Sequence, residues 1–324
     1  KTDRINARLN YSRQLTDKIS LDTRIAYRQG NTLAPSHPVQ GNGGLLYLIY
    51  TRGTMEPVYL PGSNDEKYAA SWVGLTTPAG TYSILKEGGR NATREDNLTA
   101  VISLKAADIV KGLTLRAIYS PGLSVSQNDV NVRTIPYWNI TGINDYGYQK
   151  SNPNSISKKR ATTTRNNMHL LGDYDLALNS RHTFHLLGGF SFEDYRFDYT
   201  TATAKGLSSN DLFALNLGDP ALASNTDDIQ TWALLSYFGR LNYSFDNRFL
   251  FEADLRYDGS SKLAPGHRWQ LFPAVSAGWR LNNEKWFHSA LPFFDEFKLR
   301  ASWGQLGNSE GVLGNYDYIA PMAL

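Results

Sequence analysis

Residues 249–258 read FLFEADLRYD, and this stretch is the clearest indication of the fold. Its odd-numbered positions are all apolar or aromatic, whereas every even-numbered position from 252 onward is charged. Side chains of a β-strand point alternately to opposite faces, so the stretch predicts a strand with one apolar and one charged face. The same alternation occurs in 19–28, 113–119 and 296–304.

Further segments with this periodicity bring the predicted total to about ten strands. They cover about 4–12, 95–106, 163–178, 182–200, 229–244 and 270–281. No long stretch has the periodicity of a helix, although the short apolar stretches 45–50 and 211–217 could form single helical turns.

One of these segments, 182–200, changes phase partway along. Its aromatic residues occupy even positions up to Phe192 and odd positions from Tyr195 onward. A β-bulge near Glu193 and Asp194 would reset the phase. The alternative is that the strand leaves a membrane there, where the requirement for an apolar face ends.

The composition indicates a membrane protein built from strands. The 324 residues are 41% hydrophobic and 12% aromatic, yet the mean hydropathy is −0.41. No run approaches the roughly 18 apolar residues of a membrane-spanning helix. Barrel strands show apolar side chains to lipid and polar ones to the lumen, so each strand averages to polar. The predicted fold class is all-β, an antiparallel transmembrane β-barrel.

The predicted connections alternate between short polar turns and long excursions. The long ones cover 29–93, 121–162 and 201–228 and are rich in Gly, Pro, Asn and Tyr. Outer-membrane barrels have short periplasmic turns and long extracellular loops. We therefore expect these three loops to be extracellular and to carry recognition.

No motif predicts catalysis, a cofactor or a metal site. The absence of cysteine excludes disulfides and thiolate ligands, and the neighbouring His182 and His185 would point to opposite faces of a strand. The 33 basic and 30 acidic residues are interspersed, which argues against nucleic-acid binding. Carboxylates alternate with basic side chains as in a hydrated wall. The side chains expected to line the lumen are Glu252, Asp254, Arg256, Lys298 and Arg300.

Several short motifs follow one another in the C-terminal third. They are RYDGSSK at 256–262, RWQLFP at 268–273, VSAGW at 275–279, LRASWG at 299–304 and LGN at 306–308. Their order and content resemble the SusC/RagA family of TonB-dependent outer-membrane transporters of the Bacteroidota. Within these motifs, residues 258–261 are suited to end a strand, and Pro273 predicts a local break or bulge.

The resemblance implies a barrel larger than this chain. Outer-membrane transporters of this type have about 22 strands and a plugged lumen. Residues 1–324 are therefore expected to be an internal part of one barrel domain, without the plug or the remaining strands. The resemblance further implies an outer-membrane protein that is not an enzyme. It would import oligosaccharide or peptide, driven by TonB–ExbB–ExbD, and pair with a SusD-like surface lipoprotein.

Loop aromatics are the candidates for contact with the cargo or with that lipoprotein. They are Trp72, Tyr137, Trp138, Tyr146 and Tyr148. The alternatives are a TonB-dependent siderophore receptor, a passive porin and a surface all-β glycan-binding protein.

Overall fold

Ten long strands form a single antiparallel sheet, and each strand pairs with its neighbours in the order of the chain. The computed structural model describes residues 1–40, 44–51, 57–63, 67–70, 81–138, 146–291, 293–308, 314–315 and 317–319. The predicted fold class and the predicted number of strands are confirmed. β1 and the last strand are the two edges of the sheet.

The strands of this sheet, with a two-stranded hairpin formed by β5 and β6, have the following bounds. They are β1 Thr2–Gln14, β2 Ile19–Pro35, β3 Gly89–Ala107, β4 Leu113–Val132, β5 Ile135–Trp138, β6 Tyr146–Lys150, β7 Ser155–Ala177, β8 His182–Lys205, β9 Ser224–Phe245, β10 Phe249–Ser260, β11 Trp269–Arg280 and β12 Lys298–Gly304.

Helices are short and lie in the connections. They are α1 Leu45–Thr51, α2 Tyr82–Glu87 and α3 Lys285–Ala290, with 3-10 turns at Leu215–Leu217, Pro220–Leu222 and Leu281–Asn283. The prediction of a helical turn at 45–50 is confirmed, and the one at 211–217 holds for its last three residues. In the part of the chain that is described, no helix is long and apolar enough to cross a membrane.

The strands extend further than the alternation predicted. The connections cover 36–88, 133–154 and 206–223, within the predicted 29–93, 121–162 and 201–228. The added segments belong to strands because they are paired in unbroken register, for example Thr2 with Thr32 and Ser155 with Lys205. Backbone pairing does not require an apolar face, so a strand can extend beyond the residues whose alternation predicts it.

Two predicted irregularities are absent from the ladders of these strands. β8 pairs with β7 and β9 without a register shift through Glu193 and Asp194, so the predicted β-bulge is wrong. Pro273 pairs with Leu255 in an unbroken ladder, so the predicted break is also wrong. The Pro273 carbonyl accepts from the Gln305 N–H at 2.9 Å, just beyond the end of β12. The N–H and C=O of a strand residue point to the same neighbouring strand, so the nitrogen of Pro273 also points to the end of β12. The ladder does not need an N–H donor there.

The short turns contain residues suited to left-handed backbone. Asp108 has a φ of 52°, and its carboxylate accepts from the Gly112 N–H at 2.9 Å. A Cβ on Gly112 would lie 2.3 Å from the Asp175 carbonyl oxygen, so this position requires glycine. Asp246 and Asn247 turn β9 into β10, each with a φ of 52°, which Asp and Asn tolerate better than most residues.

Buried apolar clusters lie in and beside the long connections rather than on the sheet. One joins Leu45, Leu48 and Ile84 of the helices, and another joins Ala70, Ile135 and Tyr137. A third joins Ile156, Ala204 and Leu207 where β7 and β8 reach the connections. The sheet is thus a single layer, and the long connections form small cores of their own at one end of it.

Candidate functional site

One face of the sheet is apolar, and most of its large apolar side chains are exposed among the described residues. We call it the apolar face; in β10–β12 it carries Leu255, Leu299 and Trp303, which are 51%, 52% and 63% exposed. The register extends it across strands, since Ala253 lies opposite both Leu241 and Val275. Soluble monomers rarely expose an apolar surface of this extent, whereas a membrane wall requires one.

Aromatic side chains border the apolar face at both ends. At the short-turn end, Phe249 stacks between Phe245 and Trp279, at centroid distances of 6.4 and 5.9 Å. At the other end, Tyr257 stacks on Trp269 at 4.8 Å. From Phe249 to Tyr257 is a span of nine residues, which agrees with the roughly 9–11 residues of a membrane-spanning strand.

The opposite face, which we call the polar face, carries the five residues predicted to line a lumen. Glu252, Asp254 and Arg256 alternate with apolar-face residues of β10, and Lys298 and Arg300 do so in β12. The structure therefore brings all five to one surface.

Ion pairs and hydrogen bonds connect the side chains of this surface, both within β10 and between strands. Arg300 approaches Glu252 at 3.3 Å and donates to the Ser276 hydroxyl at 3.1 Å. Arg256 donates to Asp258 at 2.7 Å and to the Ser236 hydroxyl at 2.8 Å. The charged side chains of these pairs are half-buried or exposed.

The polar face also carries an aromatic row that the loop-centred prediction missed. Tyr195 of β8 lies opposite Trp232 of β9, and their rings stack at 5.4 Å and 16°. Arg165 and Lys262 lie 6.0 and 5.3 Å from the Trp232 ring. The phase change in 182–200 was the sequence signal for this row, because it moves the aromatic residues of β8 to the polar face.

Among the predicted loop aromatics, Tyr137 is a core residue. It is 1% exposed, packs against Tyr68 and shares a 2.6 Å hydrogen bond with the Ser83 hydroxyl. Burial raises the pKa of Tyr137 to about 12, although the bond to Ser83 opposes the shift. This environment suits a structural role rather than contact with a solute.

For the other loop aromatics, the structure describes the side chain of Trp138 and the backbone of Tyr146 and Tyr148. Trp138 is half-buried, with the Lys67 ammonium 5.5 Å from its ring. Tyr146 and Tyr148 lie in β6, whose backbone pairs with β5, and Trp72 lies outside the described residues.

The two neighbouring histidines lie on opposite faces, as predicted. His182 contacts the Tyr243 hydroxyl on the apolar face at 2.8 Å, whereas His185 on the polar face contacts Asp175 at 2.7 Å. No group of three or more His, Asp or Glu side chains in the described residues could hold a metal ion.

Residues 40–318 match the family model described as TonB dependent receptor-like, beta-barrel. The chain belongs to this family of outer-membrane β-barrels. The two-faced sheet with aromatic borders is the local geometry that such a barrel requires.

Comparison with individual proteins confirms the resemblance to SusC and RagA. The chain is 24% identical to TonB-dependent receptor P26 of Formosa agariphila over 93% of its own length and 29% of that protein. It is 45% identical to TonB-dependent receptor SusC of Bacteroides thetaiotaomicron, over 23% of its length and 7% of that protein. It also matches a structure of the RagAB peptide importer in the closed-closed state, with a TM-score of 0.77 at 20% identity.

The RagAB match covers 97% of this chain but only 33% of that structure. The chain thus spans about a third of the length of the proteins it resembles over most of its sequence. It is a SusC/RagA-like part of a transmembrane barrel.

Proposed function

We propose that the receptor containing this chain imports oligomeric nutrients across the outer membrane, driven by TonB–ExbB–ExbD and assisted by a SusD-like surface lipoprotein. The observation that carries the proposal is the single-layer sheet with one exposed apolar face and one ion-paired polar face, in a chain of the TonB-dependent receptor family. Such a wall separates lipid from water and is not by itself a catalytic surface.

In this proposal the polar face lines the lumen. Glu252, Asp254, Arg256, Lys298 and Arg300 then contact water, the plug or the passing solute. The ion pairs of Glu252, Asp254, Arg256 and Arg300 support this assignment, because paired charges are stable in a hydrated wall and costly in hydrocarbon.

The three long connections are then extracellular. They lie at the end of the sheet opposite the short turns, as expected for loops of an outer-membrane barrel. Of the loop aromatics, Trp138, Tyr146, Tyr148 and Trp72 remain candidates for contact with cargo or with the lipoprotein, whereas the burial of Tyr137 supports a structural role.

Deletion of the complete receptor from its native strain tests the proposal. The strain would be grown on panels of oligosaccharides and peptides as sole carbon source, with and without the receptor restored on a plasmid. We expect at least one oligomer to require the receptor, and its uptake to stop when a protonophore collapses the proton-motive force.

Two outcomes would contradict this function. Uptake that continues after the proton-motive force collapses would indicate a passive porin. A growth defect confined to iron-limited medium would indicate a siderophore receptor. Purification of the tagged receptor from the same strain tests the partner, since a SusD-like lipoprotein should co-purify.

A further inference from the structure

The two faces of the sheet differ in net charge. Fourteen basic and nine acidic strand residues point to the polar face, a net charge of +5, whereas six of each point to the apolar face. The charges on the apolar face therefore balance. Any electrostatic preference of the wall for a solute resides on the polar face.

Every acidic side chain of the polar face has a partner. Seven of the nine contact a basic side chain, as Asp173 contacts Arg116 at 2.8 Å. The other two are Asp22, which accepts from the Ser12 hydroxyl, and Asp228, which accepts from Gln230. The surplus on this face therefore consists of cations.

The arginines of the polar face that have no partner among the described residues lie on β1, which is an edge of the described sheet, and on β2. Six of its ten arginines hydrogen-bond to a carboxylate or an amide side chain. The side chains of Arg4, Arg8 and Arg24 make no hydrogen bond or ion pair with any residue that the structure describes. Arg28 beside them has only a 3.8 Å approach to Glu95, with both side chains about half exposed.

These four arginines form a zigzag ladder. Successive polar-face pairs of β1 and β2 are Arg4–Gly30, Asn6–Arg28, Arg8–Ala26 and Asn10–Arg24, so each pair holds one arginine, on alternate strands. Neighbouring pairs are two residues apart, which spaces the arginines roughly 6–7 Å along the wall. Within the β1–β2 pair, the residue opposite each arginine is small or an amide.

The surface beside the ladder carries many short hydroxyl and amide side chains, interspersed with Glu95 and Val101 next to the arginines. On β3 and β4 the polar-face residues include Thr93, Asn97, Thr99, Ser120, Ser124, Ser126 and Asn128. The polar face of β1–β4 holds no aromatic side chain. It therefore offers hydrogen bonds to a hydroxylated solute, and its apolar side chains are isolated aliphatic ones such as Val101 and Ile118.

We propose that the ladder of Arg4, Arg8, Arg24 and Arg28 is a binding track for an anionic oligosaccharide bearing carboxylate or sulfate groups. The proposal rests on the import function above and specifies its cargo. Guanidinium groups bind carboxylates and tetrahedral oxyanions such as phosphate through two parallel hydrogen bonds, and rows of basic side chains favour anions in pores. The adjacent hydroxyl and amide groups supply partners for sugar hydroxyls.

Equilibrium binding to the complete receptor in detergent tests the proposal. The probes are oligogalacturonate, a sulfated carrageenan oligosaccharide, a neutral maltooligosaccharide and oligoglutamate, all of similar length. The test variant is R8Q/R24Q. The matched control is R13Q, which removes an arginine from the opposite face of the same strand.

We expect the unaltered receptor to bind one or both anionic saccharides, more tightly than the neutral one, and to lose affinity as salt is raised. R8Q/R24Q should weaken that binding at least roughly tenfold, because two charge-assisted contacts are lost. R13Q should leave it unchanged, and R8K/R24K, which keeps the charge, should retain most of it. A gel shift between folded and heat-denatured receptor verifies that each variant is assembled. The anionic probe that binds identifies the group as carboxylate or sulfate.

Several results would overturn the proposal. The first is that neither anionic saccharide binds more tightly than the neutral one. The second is that R8Q/R24Q and R13Q lose the same affinity for the anionic saccharides. The third is that oligoglutamate binds more tightly than the anionic saccharides. A loss of thermal stability in R8Q/R24Q with an unchanged preference among the probes would assign the ladder to a protein segment in the lumen. Binding in detergent needs no proton-motive force, so it can fail or succeed independently of the transport test.

Discussion

The lower and upper parts of β8 carry their aromatic side chains on opposite faces. In the lower part, next to the short turn, Phe184 and Phe190 lie on the apolar face. In the upper part, Asp194 and Asp198 occupy that face, and Tyr195 has moved to the polar face. The strand is otherwise continuous, because its register with both neighbours does not change.

The unchanged register indicates that the environment, rather than the geometry of the strand, determines which face is apolar. A bulge would have kept the aromatic residues on one face. The neighbouring strand changes at the same level, since Met168 and Asn166 of β7 lie opposite Phe192 and Asp194. We infer that β8 leaves the hydrocarbon between Phe192 and Asp194 and continues above the membrane as a wall with charged residues outside.

The largest expected effect is the cost of an arginine on the lower apolar face. Leu186→Arg places a charge among Tyr174 and Leu241, the apolar-face neighbours of Leu186. Near the bilayer midplane this costs about 2–4 kcal/mol. Urea titration of the complete receptor in lipid vesicles measures the loss of free energy of unfolding.

Thr200→Arg is the matched control, on the same face of the same strand. Thr200 lies between Arg160 and Asp227, one residue of each charge, so the new arginine should change stability by less than about 0.5 kcal/mol. Equal losses of stability at the two positions would contradict the inferred difference, because they would place both parts of β8 in the same environment.

A smaller effect concerns the two aromatic stacks. Tyr195 and Trp232 stack in the upper part, whereas Phe184 and Tyr243 stack at 4.7 Å in the lower part. A double-mutant cycle with leucine should give a coupling of about 0.5–1.5 kcal/mol for the upper pair. The lower pair should couple less, because lipid chains solvate an exposed ring about as well as a second ring does.

Unfolding of the single and double variants of each pair measures the two coupling energies. A larger coupling for Phe184 and Tyr243 would indicate that the upper pair is not in water. It would then argue that a protein segment covers the polar face at that level.

Most of the sheet could be predicted from sequence because its physical cause is local. Alternation with period two marks each strand, and residues such as Asp108, Gly112 and Asn247 mark the turns. The strand ends could not be predicted. Toward the long connections the alternation weakens while backbone pairing persists, so β2 continues to Pro35 and β8 to Lys205.

The candidate site was predictable in part for the same reason. Alternation assigns Glu252 and Arg300 to one face, but it does not reveal that they pair. The burial of Tyr137 depends on Ser83 and Tyr68, which are distant in sequence. The arginine ladder depends on the register between β1 and β2, which sequence periodicity does not specify.

The smallest expected effect is the removal of a charge from the upper part of β8. Arg196 and Asp198 form an exposed pair at 3.2 Å, with side chains 49% and 44% exposed. Exposed pairs contribute about 0–1 kcal/mol, because water and salt screen them and ordering two side chains costs entropy. Arg196→Gln should therefore lower the free energy of unfolding by less than about 0.5 kcal/mol, and even less in high salt. Urea titration at two salt concentrations measures this. A loss of more than about 2 kcal/mol in the free energy of unfolding that salt does not reduce would mean that the pair is shielded from water. Lipid or protein would then cover this face, and the membrane boundary would lie above Asp198.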